Sequence, residues 1–120
     1  MPERQKLIDE YRQKNDIREP RCISDKILLY LRYGLDQFKT RYPDCNHIEY
    51  EEKVYDIYNR IRGEPTYTNK NPVFVAGSIL YLAGCIVGYP VIQIDVAKTL
   101  LITEVGVRTN YSKMKKDLKL

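Results

Sequence analysis

Apolar positions are spread unevenly along this chain of 120 residues. From Pro72 to Gly88 it reads P-V-F-V-A-G-S-I-L-Y-L-A-G-C-I-V-G, with Ser78 and the Tyr81 hydroxyl as the only polar side-chain groups. A helix that is apolar all round belongs in the interior of a core. The pattern predicts a central buried helix over 71–87, capped by Asn71, with Pro72 at its first helical position. Gly88 and Pro90 stop it. Ala76, Gly77, Ala83 and Gly84 are small enough to let other helices approach its backbone, and Cys85 reads as a small core residue. A membrane span is the rival reading, but the run falls short of the ~20 apolar residues a bilayer needs.

The flanking pattern is helical as well. Residues 2–16 make a charged helix with a thin stripe of Leu7, Ile8 and Tyr11, which either docks on the domain, a second copy or a partner, or frays. Glu19-Pro20 closes this extension, because a residue before proline avoids the helical region. A helix from Ser24, as N-cap, to about Thr40 buries Ile27, Leu28, Leu31, Leu35 and Phe38. After a loop over 41–47, a helix from Ile48 to Arg62 buries Val54, Ile57, Tyr58 and Ile61. Glu49, Glu51 and Glu52 suit the positive end of its dipole, and Gly63 closes it. Residues 63–71 form a polar connector. Beyond the central helix, Val91–Leu101 is a short helix with Ile92, Val96, Ala97 and Leu100 inward. A tight turn leads to a last helix from Thr103, its N-cap, to Leu118. There Val107, Tyr111, Met114 and Leu118 repeat as a core stripe. The opposite face carries Val105, Arg108, Ser112 and Lys115, with Thr109 and Lys116 beside it. No strand pattern competes, and no internal repeat is found. The fold class is all-α: five helices plus an N-terminal extension over 1–20.

Charge placement changes the picture. Residues 108–120 hold Arg108, Lys113, Lys115, Lys116 and Lys119 against Asp117 alone, so this segment carries the whole net charge of +4. A basic cluster on one helix is an electrostatic footprint for nucleic acid. The bland alternative is a solvated helix whose lysines favour the negative end of the dipole. A short helix, a tight turn and a longer helix with a polar, basic outer face is also how a helix-turn-helix presents its recognition helix to a major groove, although any antiparallel helix pair gives similar spacing.

Other chemistry is sparse. Cys22, Cys45 and Cys85 are far apart and odd in number, which indicates neither zinc ligands nor a disulfide framework and leaves Cys22 and Cys45 as free thiols in a reducing cytoplasm. The N-terminus has no apolar signal region. His47 is the single histidine and reads as an exposed loop residue; no phosphate-cradling glycine loop or nucleophile–base pair is present. The expectation is therefore no enzyme, no cofactor, no metal and no membrane.

The stretch 71–120 resembles the second cyclin-like repeat of transcription factor IIB and of its archaeal counterpart, transcription factor B. The likeness rests on N-P-V-F-V-A-G-S-I-L-Y-L-A (71–83) and T-E-V-G-V-R-T-N-Y (103–111), with Gln93, Val96 and Ala97 between them at family spacing. Residues 22–62 agree in helix pattern only. The resemblance implies a single cyclin-like domain over 21–120: five helices around a central one, ending in a helix-turn-helix over 91–118. It implies a transcription regulator that binds double-stranded promoter DNA beside the TATA box, with TATA-binding protein or RNA polymerase as possible partners, in an archaeal cytoplasm or a virus of an archaeal host. Val105 and Arg108 stand at the family's base-contacting positions. Arg108 can donate two hydrogen bonds to a guanine, and Val105 can touch a thymine methyl. Gln93, Thr109 and Ser112 complete the reading face. Lys113, Lys115 and Lys116 would address phosphates, which adds affinity without sequence information.

The sequence departs from the family at several positions. Gly106 replaces a threonine, which costs ~1 kcal/mol relative to alanine in a helix and removes a hydroxyl. Pro90-Val91 replaces a basic pair, and Asn110 a later arginine. Leu100-Leu101-Ile102 replaces a glycine-containing turn, which predicts a looser or differently angled one. No zinc ribbon and no first repeat is read in the sequence, so recruitment of polymerase in the family's manner is not expected. The competing reading is a protein-interaction module that engages a partner through the N-terminal helix or through Tyr50, Tyr55, Tyr58 and Tyr67; the oligomeric state is open.

Overall fold

The apolar run forms helix α5 (Pro72–Val87), capped as its ends require. The Asn71 side chain accepts from the Val73 N–H at 3.2 Å, and Gly88 closes the helix in the left-handed region at φ 76°. The Tyr89 N–H then returns to the Gly84 carbonyl at 3.0 Å. The computed structural model describes residues 2–120, which form seven α-helices and no strand. The others are α1 (Pro2–Lys14), α2 (Ile23–Arg41), α3 (His47–Ile61), α4 (Pro65–Thr68), α6 (Gln93–Leu100) and α7 (Glu104–Asp117). Helices α2, α3, α6 and α7 pack around α5, α4 touches it from the connector, and α1 lies along α2. Ile27, Leu31, Phe38, Val54, Ile57 and Ile61 of its neighbours are almost wholly buried against Ile79 and Leu80 of α5 and the rest of the core. Each contributes roughly 1.5–3 kcal/mol by leaving water. Gly77 lets α6 approach as expected, since a Cβ there would lie 3.4 Å from Val96, while at Gly84 a Cβ would lie 2.5 Å from Val91 of the segment that precedes α6. Among the described residues no helix is long and apolar enough to cross a membrane.

Several local expectations are corrected. Cys85 is exposed. It lies on the side of α5 that carries Phe74 and Tyr81; these two are half-buried under α7, through Gly106 and Tyr111, whereas Cys85, nearer the end of the helix, is left in water. Cys22, not Ser24, occupies the N-cap of α2. The Ser24 hydroxyl instead accepts from the Gly63 N–H at 3.3 Å, and its carbonyl from the Tyr58 hydroxyl at 3.0 Å. Ile92 is 54% exposed, because it precedes α6 in extended backbone; alternation there turns Val91 inward. The connector is not featureless, since α4 buries Tyr67. The N-terminal segment is docked: Ile8 is buried and Tyr11 donates to Asp36.

Polar contacts hold both ends of α6. Asp95, in the first turn of α6, is buried and accepts from Arg41 Nη2 at 2.7 Å and from the Tyr42 hydroxyl, both at the end of α2. At the other end, Arg4 reaches from α1. Its Nε donates to the Leu100 carbonyl at 2.9 Å and its Nη2 to the Leu101 carbonyl at 2.6 Å. These are carbonyls that a helix C-terminus leaves without partners. Leu101 is left-handed, at φ 55° and ψ 47°, a conformation that costs a non-glycine residue ~1–2 kcal/mol. The turn after α6 is therefore tight without glycine, contrary to the expectation of a looser one, and the Arg4 guanidinium holds it.

Candidate nucleic-acid interface

Helix α7 begins where the sequence places it. The Thr103 hydroxyl oxygen accepts from the Gly106 N–H at 3.0 Å. Val107 and Met114 are buried against α5, and Tyr111 meets Tyr81 edge-on, with ring centroids 4.6 Å apart. This orientation leaves Val105, Arg108, Thr109, Ser112, Lys113, Lys115 and Lys116 all exposed on the outer side. Val105 is 62% exposed, so it does not pack against α6.

Gln93 opens α6, half-buried, and the turn brings it to Arg108: Arg108 Nε donates to Gln93 Oε1 at 3.3 Å. Arg108 Nη2 lies 3.6 Å from Glu104 Oε1, one turn earlier on α7. Both contacts are exposed, and an exposed ion pair of this kind contributes ~0.3–0.5 kcal/mol. Arg108 is therefore held over the face at little cost to its release toward another acceptor. Tyr81 lies beside Gln93 and Cys85, its hydroxyl pushed up chiefly by burial and then by the Cys85 thiol. Gln93, Arg108 and the outer residues of α7 thus share one surface. Lys113 lies on its far flank, away from Gln93.

That flank holds a residue the sequence reading missed. Lys70, in the connector between α4 and α5, stands 5.3 Å from the centre of the Tyr67 ring and beside Lys113. Its ammonium is pushed below the usual lysine range, first by burial and then by the Lys113 charge. The run T-N-K-N gave no sign of this, because it reads as an ordinary polar linker. Glu104 was also missed, although its spacing of four from Arg108 is the pairing interval of a helix.

Gly106 is explained by packing. A Cβ there would lie 2.3 Å from Phe74 Cε1 and 2.9 Å from the Thr103 hydroxyl. Glycine lets α7 close onto the Phe74 ring, so the missing hydroxyl accompanies a closer helix contact.

The tyrosines offered as a partner surface are turned inward instead. Tyr50, Tyr58 and Tyr67 are buried and Tyr55 is half-buried. The Tyr50 hydroxyl donates to the Leu80 carbonyl at 2.8 Å, and the Tyr67 hydroxyl to Asp117 at 3.2 Å. Nor is His47 a loop residue: it opens α3, half-buried, with Nδ1 2.8 Å from the Tyr89 hydroxyl. The stacking of Tyr50 on Tyr89, 4.0 Å between centroids, brings that hydroxyl to the ring. Among the described residues no group of three or more His, Cys, Asp or Glu side chains is placed to hold a metal ion.

No protein-family model matches the chain, and a search of curated proteins returns no match.

Proposed function

We propose that this chain is a small DNA-binding transcription regulator, a cyclin-like domain of the transcription factor B type that contacts double-stranded promoter DNA through a helix-turn-helix formed by α6 and α7. The observation that carries the reading is the outer side of α7: Val105, Arg108, Thr109, Ser112, Lys115 and Lys116 are exposed together, next to Gln93 of α6. A recognition helix reads bases with the residues of its N-terminal part, here Val105 and Arg108, and grips phosphates with the basic residues beyond. Tight packing of α6 and α7 onto α5 supplies the rigid mounting such a helix needs. TATA-binding protein or RNA polymerase would be a partner in this reading, and catalysis has no part in it.

The test is fluorescence anisotropy on a random duplex and on an archaeal-type promoter across a salt series, for wild type and Arg108→Ala. Wild type is expected to bind both with a steep salt slope and to prefer the promoter. Arg108→Ala is expected to lose ~1–3 kcal/mol of that preference, the scale of one bidentate arginine–guanine contact. Equal affinity for both duplexes, unaffected by the substitution, would reduce α7 to a basic tail.

A second reading has its own observation. Ile86, at the end of α5, and Ile92 and Ile94, around the start of α6, are 41%, 54% and 40% exposed. Large apolar side chains left in water mark protein contact surfaces where they join into one patch. A protein-interaction module would show a larger mass on gel filtration, alone or with TATA-binding protein, and no affinity for DNA at low salt.

A further inference from the structure

The outer side of α7 accounts for most of the excess positive charge, but Lys70 belongs to a different element. It follows α4 by two residues, its N–H donating to the Tyr67 carbonyl at 3.2 Å, and its ammonium stands over the Tyr67 ring. The Tyr67 hydroxyl in turn donates to Asp117 on α7, one turn beyond Lys113. Tyr67 therefore ties the connector to the last turns of α7 and brings Lys70 within reach of the Lys113 charge. Among the described residues neither ammonium has a carboxylate within 4.0 Å. Asp117 eases the repulsion from a distance, while its carboxylate is bonded to Tyr67.

Two like charges held together, one of them partly withdrawn from water, destabilise the free protein and favour an anion shared between them. A tetrahedral oxyanion suits this arrangement, because lysine acts as a point charge with three rotatable donors. We propose that Lys70 and Lys113 form a clamp for one backbone phosphate of double-stranded DNA, extending the contact surface from α7 onto the α4–α5 connector. This rests on the reading of α7 as the DNA-contacting helix. A phosphate contact positions the protein without reading sequence, so the clamp would fix register while Arg108 discriminates.

The test is duplex binding across a salt series for wild type, Lys70→Gln, Lys113→Gln and the double variant. Each single substitution is expected to weaken binding to random and promoter duplexes by the same factor. Each should lower the slope of log affinity against log salt by about 0.9, the value of one phosphate. The double variant should lower it scarcely further, because both lysines serve one phosphate. Lys113→Gln lies on an exposed face, so its result does not depend on the fold tolerating a change at Lys70. An unchanged slope in both single variants, or a loss of about two phosphates in the double, would overturn the clamp.

Failure of the DNA reading is separable. If wild type binds no duplex at low salt, inorganic phosphate is titrated while the Lys70 ammonium is followed by NMR. A shift that Lys113→Gln abolishes would keep the oxyanion clamp and reject DNA as the source of its phosphate. No shift would reject the clamp itself.

Discussion

Gly106 and Arg108 sit two positions apart on α7 and answer to different demands. Arg108 projects from the outer face, and its type and position could be read from sequence. Gly106 looks like a defect in sequence, and only the Phe74 ring beneath it gives the reason. Gly106→Thr sets a better helix former against an overpacked contact. Propensity favours the substitution by less than ~1 kcal/mol, whereas forcing atoms into a filled contact typically costs ~1–3 kcal/mol. The expected outcome is a net loss of ~1–2 kcal/mol, measured as a lower urea midpoint at constant m. Adding Phe74→Ala should make the two changes non-additive, the threonine costing less once the ring is gone. Equal losses in both backgrounds would place the strain elsewhere.

At the scale of elements, α1 is the surprise. Its sparse apolar stripe left open whether it docks or frays. Its apolar stripe does pack, with Ile8 buried, Leu7 beside it and Tyr11 edge-on to Tyr33, and a polar contact is added that the stripe does not announce: Arg4 binds the last carbonyls of α6 across 96 residues of sequence. No periodicity signals such a contact, because the acceptors are backbone oxygens available to any cation of the right reach. Arg4→Ala is expected to leave the helices formed and to loosen the turn at Leu101. Hydrogen bonds from a charged donor contribute ~1.5–3 kcal/mol, and partial exposure brings this toward the lower end. Hydrogen exchange should therefore quicken at the Ile102 amide, which closes the turn onto the Ala97 carbonyl at 2.9 Å, more than at amides of α3. A uniform change across both helices would show that Arg4 contributes only to global stability. The boundaries of α5 and the cap of α7 were legible beforehand, because capping is decided by a few consecutive residues. The start of α2 was misplaced by two residues, because Ser24 is recruited to Gly63 and Tyr58 instead.

For the molecule as a whole, the eleven tyrosines are a structural resource. Burial, foremost, pushes the hydroxyls of Tyr67 and Tyr89 up to about 12 and that of Tyr50 well above 10.0. The sign follows directly. The folded state keeps these phenols neutral, while unfolded tyrosines ionise near 10.0, so the stabilisation is complete below that pH and is lost as pH rises toward and past 12. Lys70 acts in the opposite sense, since its lowered value makes folding more favourable as pH approaches 10.5. One lysine is outweighed by several tyrosines. The expected outcome is a cooperative alkaline unfolding above pH 10 in which far-ultraviolet dichroism is lost together with a steep rise in tyrosinate absorbance. A gradual rise centred near 10 with dichroism intact would show that these hydroxyls reach water in the folded state.

By itself, the sequence determined the all-helical class, the central helix and its caps, and the side of α7 that faces outward. Each depends on residues within a few positions of one another, where helical periodicity and capping chemistry operate. The tertiary structure alone decided that Leu101 turns without glycine under the Arg4 guanidinium, that Cys85 near the end of α5 is exposed, and that His47 meets Tyr89. It also placed Lys70 against Lys113. These pairings depend on the directions in which distant helices meet, and a packing direction is a property of the assembled core rather than of any short run of residues.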